Sequence, residues 1–229
     1  MERKEIKTII KEDVIKKIEY LCRRLPNVEW SGTIFYTTNT SIQNLDEFEI
    51  TVEDLFLHGI GTATYTESEF DANLFDYIEE KNLFDMHKGI IHSHNNMPTF
   101  FSGTDKNELK ENLVHHKIYL SIIVNNKLEA TGKLVQRKYP TKMYAYDQYG
   151  DKYEIDDDDV TDIIAFNEYD CDIEVENVET YQYPDLENMI KITEDRNKKN
   201  KPVQKFGYGR GRGYNSFNGI RQEEFTFND

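Results

Sequence analysis

A chain of 229 residues holds one domain with extensions or two small domains, and with 38% hydrophobic and 13% aromatic residues its core is expected to be rich in Tyr and Phe. Cys22 and Cys171 stand on distant segments, which excludes a disulfide framework and a cysteine zinc site and fits a reduced compartment. The formal charge of −15 is uneven, with −14 on residues 144–185, +3 on 186–229 and −4 on 1–143, so the acidity belongs to one appendage.

In chain order, the N-terminus has no apolar h-region and nowhere do 18 apolar residues run together, so a cytosolic protein without membrane contact is expected. Ile10, Val14, Ile18, Leu21 and Leu25 recur at helical spacing and predict an amphipathic helix over residues 8–25, ended by Pro26. Residues 28–38 are β-branched and aromatic and read as a strand with Glu29 near its start. Further extended stretches are expected over 47–56 and 59–65, then a helix over 68–83 opened by the capping signature Ser68-Glu-Phe-Asp71. A strand begins near His87, a helix runs from Ser102 to Val114, and residues 118–124 read as a buried strand joined by a turn at Asn125 to a hairpin partner over 128–136.

This order predicts an α/β domain, helices packed on a mixed sheet, over residues 1–140. Residues 141–190 read as an acidic extension, an added edge hairpin or a small cap, with strand-like alternation over 144–153 and 172–183. Asp156 to Asp159 lack the alternating ligands and central Gly of a calcium loop and read as a solvated turn. Residues 191–229 hold little to bury and read as a flexible tail. Its Gly207–Tyr214 tract could bind RNA by charge and stacking, but two Arg-Gly units beside an acidic segment favour a plain tail.

The chemistry concentrates between Gly89 and Asp105. His92 and His94 stand two apart on a strand, so both imidazoles face one way, and after seven residues Ser102-Gly-Thr-Asp105 opens a helix that can bring a carboxylate back. Two neutral imidazoles and one carboxylate suit zinc and leave a fourth position open, as metal-assisted hydrolysis requires. Each part has a plainer reading: Ser102 and Asp105 also form a capping box, and His-x-His also occurs as a solvated or core pair. Their conjunction points to metal.

His92-Ser-His94, seven residues, then Ser102-x-x-Asp105 resemble the metal signature of the JAMM metalloproteases, the MPN-plus or JAB-domain family. Glu29 with Gly32 ahead of an apolar strand resembles the family's Glu-x-x-Gly opening. The chain departs from the pattern at Asn95 and Phe101, where family members commonly have Pro. The resemblance covers roughly residues 10–140 and implies an MPN/JAB-like fold, one catalytic zinc ion on His92, His94 and Asp105, Glu29 as general base and Ser102 as support for the developing oxyanion. It also implies hydrolysis of peptide or isopeptide bonds in a protein or peptide substrate, often ubiquitin or a ubiquitin-like modifier, while other members cleave sulfur-carrier fusions or act in phage tail assembly. The insertion that carries a second zinc in some deubiquitinating members is not expected, because the chain passes almost directly from Val114 to Ile118.

Abundant Asn, Lys, Ile and Tyr fit an AT-rich genome, so the expected setting is the cytosol of a bacterium or a phage-infected cell. The contrasting reading is a metal-free MPN-type scaffold that docks through its acidic appendage; such relatives usually lose ligands that this chain keeps. The other histidines, His58, His87, His115 and His116, read as structural, and Phe100 and Phe101 either line a substrate groove or belong to the core.

Overall fold

A strand, β1 (Glu5–Ile10), precedes the first helix, α1 (Glu12–Arg24), so the helix expected over 8–25 begins four residues later than its apolar spacing suggests. Ile10 fits both periodicities, and pairing decides: Ile6, Thr8 and Ile10 are buried alternately while residues 7–10 pair with a later strand. The structure, a computed structural model, describes residues 5–62, 73–138, 143–146, 152–155, 166–174 and 183–199.

The elements that follow are β2 (Trp30–Thr38), β3 (Glu49–Ile60), α2 (Asn73–Lys81), β4 (His87–Ser93), α3 (Gly103–Asn112), β5 (Ile118–Val124), β6 (Ala130–Arg137), β7 (Met143–Tyr146), β8 (Lys152–Ile155), β9 (Phe166–Glu174) and α4 (Pro184–Lys199). The stretches expected as two strands over 47–56 and 59–65 form one strand to Ile60, with residues 63–65 outside the described chain. Ser68 to Asp71, Asp156 to Asp159 and Gly207 to Tyr214 also lie outside it.

The protein is mixed α/β. Seven strands close a ring in the order β1-β3-β2-β4-β5-β6-β9, with β9 returning to β1. Pairing is parallel for β1 with β3, β1 with β9 and β4 with β5, and antiparallel elsewhere in the ring. Thus β9, which begins six residues ahead of the strand expected at 172, bonds to β6 on one side and β1 on the other. Residues on both sides of position 140 share one sheet. The boundary expected at 190 falls inside α4, which packs on β3. Among the described residues, β7 and β8 pair with each other as a separate hairpin.

Alternation along the strands separates two layers. Ile34, Tyr36, Ile91, Leu120, Ile122 and Leu134 join the largest core with Val14, Ile15, Ile18 and Leu21 of α1 and with Leu186 and Ile190 of α4. The opposite positions, Ile90, Tyr119, Ile123 and Val135, form a smaller core with Phe101 and with Leu109 and Leu113 at α3. His92 shares the parity of Ile90 and so faces α3, and His94, one residue past the end of β4, brings its ring beside that of His92. Gly32 sits where β2 bulges against β3; a Cβ there would meet the Phe56 carbonyl oxygen at 2.6 Å. No described helix is long and apolar enough to cross a membrane.

Candidate metal centre

The two imidazoles leave β4 on the α3 face, and their Nε2 atoms stand 3.2 Å apart. His94 Nδ1 lies 3.0 Å from the Pro98 carbonyl oxygen, which can only accept, so Nδ1 carries the proton and Nε2 presents its lone pair to the shared space. A carbonyl partner on the far nitrogen is also what orients and tunes a histidine that ligates a metal.

Asp105 arrives from α3. Its Oδ2 accepts the Ser102 N–H at 2.6 Å, while the Ser102 Oγ accepts the Asp105 N–H at 3.3 Å, so the capping box is present. That bond uses one carboxylate oxygen and leaves the other, Oδ1, 3.5 Å from His92 Nε2. The capping and ligand readings are therefore compatible in one side chain. Ligand atoms of His92, His94 and Asp105 all lie within 4.8 Å of one another. A tetrahedral zinc with arms of about 2.0–2.1 Å needs its ligand atoms about 3.3 Å apart, and the two separations from His92 Nε2, 3.2 Å to His94 and 3.5 Å to Asp105, lie close to that. The donor set fits a single divalent cation. Burial holds the His92 imidazole at about 4, well below its ordinary range, with Asp105 partly offsetting this and His94 deepening it.

Glu29 precedes β2. Its N–H donates to the Thr62 carbonyl at 2.7 Å and its carbonyl accepts from Gly61 N–H at 2.8 Å, tying it to the end of β3. Ser31 pairs with His92, so Glu29, two residues earlier, has the parity of Ser31 and lies toward His94 on the ligand face. It is buried, and its carboxyl pKa is raised, first by burial and then by Asp105, against a lowering by His94. The four acidic and imidazole positions and Ser102 are brought to one face of the sheet.

The loop between the ligands is strapped down. Thr131 Oγ1 of β6 donates to the Thr99 carbonyl at 2.8 Å, and Asn125 Nδ2 donates to the Met97 carbonyl at 3.1 Å. Phe101 is a core residue whose ring lies under the Lys133 ammonium, 5.6 Å from its centroid, and Lys133 bonds in turn to Glu168 and Asp170 of β9 at 2.7 and 2.6 Å. Phe100 instead is 55% exposed, its ring set edge-to-face with that of His94 at a centroid separation of 5.5 Å, so only Phe101 belongs to the core. Asn95 has φ +50°, which a proline with φ near −65° cannot adopt. His87 stacks on Tyr36, and His115 and His116 lie in the turn after α3, away from the ligand set.

Sequence reasoning read Asn125 only as a turn residue and passed over Lys133. Asn125 is almost wholly buried, with Oδ1 accepting from the N–H groups of Lys127 and Glu129. A Lys directly before the apolar pair Leu134-Val135, on a strand read as a hairpin partner of a buried one, was the available signal for Lys133.

No protein-family model matches the chain, and neither does any curated protein sequence. Among solved structures it is similar to the solution structure of protein DSY2949 from Desulfitobacterium hafniense, at 14% identity over 65% of this chain and 89% of that one, with a TM-score of 0.36. A likeness of that size carries no inference about fold or function.

Proposed function

We propose that this chain is a JAMM-type metallohydrolase of the MPN-plus or JAB-domain family, cleaving peptide or isopeptide bonds with one zinc ion held by His92, His94 and Asp105. The observation that carries the reading is the convergence of these ligand atoms within 4.8 Å of one another, with Glu29 on the same face of the sheet. The ion, when bound, supplies a Lewis acid that polarises the scissile carbonyl and makes water a nucleophile near neutral pH.

The chain's own residues do the rest. Glu29, its proton affinity raised by burial, accepts a proton as water adds to the carbonyl carbon and passes it to the departing amine when the C–N bond breaks. Ser102 Oγ accepts from the Asp105 N–H and keeps its own hydrogen to donate to the oxyanion that develops on the substrate. Exposed Met97 and Phe100 offer apolar surface beside His94 to the substrate's flanking residues. The MPN/JAB arrangement is supported by the mixed sheet with α1 on one face and the ligand-bearing helix on the other.

The substrate class we favour is a folded protein with an extended tail, such as a ubiquitin-like modifier, in the cytosol; a phage assembly peptidase uses the same chemistry. A scaffold without turnover would have no need of the intact ligand set. Metal analysis of the purified protein is expected to give about one zinc per chain, lost in His92→Ala. Across a panel of ubiquitin-like fusions, Glu29→Gln is expected to retain zinc and lose cleavage by about 10²- to 10⁴-fold. Zinc-free wild-type protein, or unchanged cleavage in Glu29→Gln, removes the reading.

A further inference from the structure

The site is assembled from two separately bonded pieces of backbone. Glu29 hangs on the end of β3 through Thr62 and Gly61, and α4 holds that end from outside, Arg196 donating to the His58 carbonyl and Asn197 to the Ile60 carbonyl. His94 hangs on β5, its N–H donating to the Val124 carbonyl at 2.8 Å. The β2–β4 pairing that would join the pieces stops at Ser31 with His92, short of both residues.

Beyond that point a side chain takes over from the ladder. The Trp30 N–H donates to Ser93 Oγ at 3.0 Å, between a fully buried Trp30 and a Ser93 that is 1% exposed. Ser93 lies between the two histidines, so by alternation it points away from their face, toward the core that holds Trp30, and is not among the converging ligand residues. It reaches neither the cation position nor the substrate.

We infer that Ser93 is a positioning residue: its hydroxyl fixes how far Glu29, on the β3 side, stands from His92 and His94, on the β5 side. The Ser93 hydroxyl stands where the next rung of the β2–β4 ladder would lie, one residue beyond the last backbone pair, Ser31 with His92. The kinetic consequence rests on the hydrolase reading, whereas the structural one does not.

Trp30 is the chain's single Trp, so the bond can be read directly by fluorescence. In zinc-loaded protein, Ser93→Ala is expected to raise acrylamide quenching of Trp30 about twofold or more as the strand end loosens. Ser93→Cys, of similar shape but a weak acceptor, is expected to act in the same direction and serves where the alanine variant fails to fold. Zinc content stays as in wild type, because no ligand is touched. On the best-cleaved fusion of the panel, kcat is expected to fall about tenfold to a hundredfold with KM unchanged, since a shift of about 1 Å in a reacting group costs that much. Ser93→Thr, which keeps the hydroxyl, restores both quenching and kcat. Wild-type quenching and turnover in Ser93→Ala or Ser93→Cys, or failure of Ser93→Thr to restore them, overturns the assignment. Wild-type protein that neither binds zinc nor cleaves anything overturns the hydrolase reading, and the quenching series then still decides the role of Ser93.

Discussion

The two helices that flank the sheet, α1 and α3, are held in opposite ways. α1 buries Val14, Ile15, Ile18, Tyr20, Leu21 and Cys22, an apolar stripe along its length, whereas α3 buries Leu109 alone within its helical span. α3 is secured instead at its beginning, by the Ser102–Asp105 capping box, and at its end, by Leu113. The helix that carries the candidate ligand Asp105 is thus capped through that same side chain. Loss or gain of a cation is expected to be felt along α3 and hardly at all along α1.

The strongest way to break this contrast is Asp105→Ala, which removes a ligand and half of the cap together. Zinc affinity measured by chelator competition is expected to fall more than about a hundredfold, since even the loss of an outer partner of a ligand costs 10- to 100-fold. Hydrogen exchange over residues 103–112 should accelerate while that over 12–24 does not. Equal acceleration in both helices would show that they are coupled through the sheet and would erase the distinction.

Core truncation probes the other side. Leu21→Ala, at a position with no exposure, is expected to cost about 3 kcal/mol in denaturant unfolding and to leave zinc content unchanged. Leu109→Ala should cost less globally, because the smaller core relaxes more easily, and it should loosen α3 selectively.

A smaller effect is expected from pH in the metal-free protein. His92 is held neutral down to about 4, so its contribution to stability is present above its ordinary 6.5 and is lost as pH falls through about 4. Glu108, one helical turn beyond Asp105, is pushed up to about 7 by burial, then by Asp105 and Glu111; its contribution is present below its ordinary 4.5 and is lost as pH rises through about 7. The two slopes oppose each other over pH 4.5–6.5. Glu108→Gln is therefore expected to gain stability over wild type, on the order of 2 kcal/mol, as pH rises from 4.5 to 7. A difference that stays flat across that range would mean the Glu108 carboxyl is not held apart from water. The smallest effect is that of Ser102→Ala, where loss of one cap acceptor costs about 1 kcal/mol, read as a lower Tm that added zinc partly restores.

What could be read from the sequence was what is local. His92 on a strand, the cap at Ser102, and the apolar run Ile118–Val124 each declare themselves within a few residues and stand where they were expected, while His94 lies one residue past the end of β4. The approach of Asp105 to His92 depends on loop 95–102, whose course is set by Thr131, Asn125 and Lys133 from other elements, so spacing alone suggested it without specifying it. β1 was absorbed into the helical pattern because Ile10 satisfies both periods and its partners are distant in the chain. Strand-like alternation was read only from residue 172 on, because Glu168 and Asp170 break the pattern ahead of it until Lys133 of the neighbouring β6 is known to neutralise them.

The return of β9 to β1 has a consequence for any attempt to make the protein smaller. Glu5–Ile9 pair with Asp170–Glu174, partners separated by most of the polypeptide. A fragment stopped at residue 140 would retain every residue of the proposed centre, yet β1 and β6 would each present a bare row of amides and carbonyls, an invitation to intermolecular pairing and precipitation. During synthesis the same interval must be crossed with those rows exposed, since the last stave of the ring emerges from the ribosome long after the first.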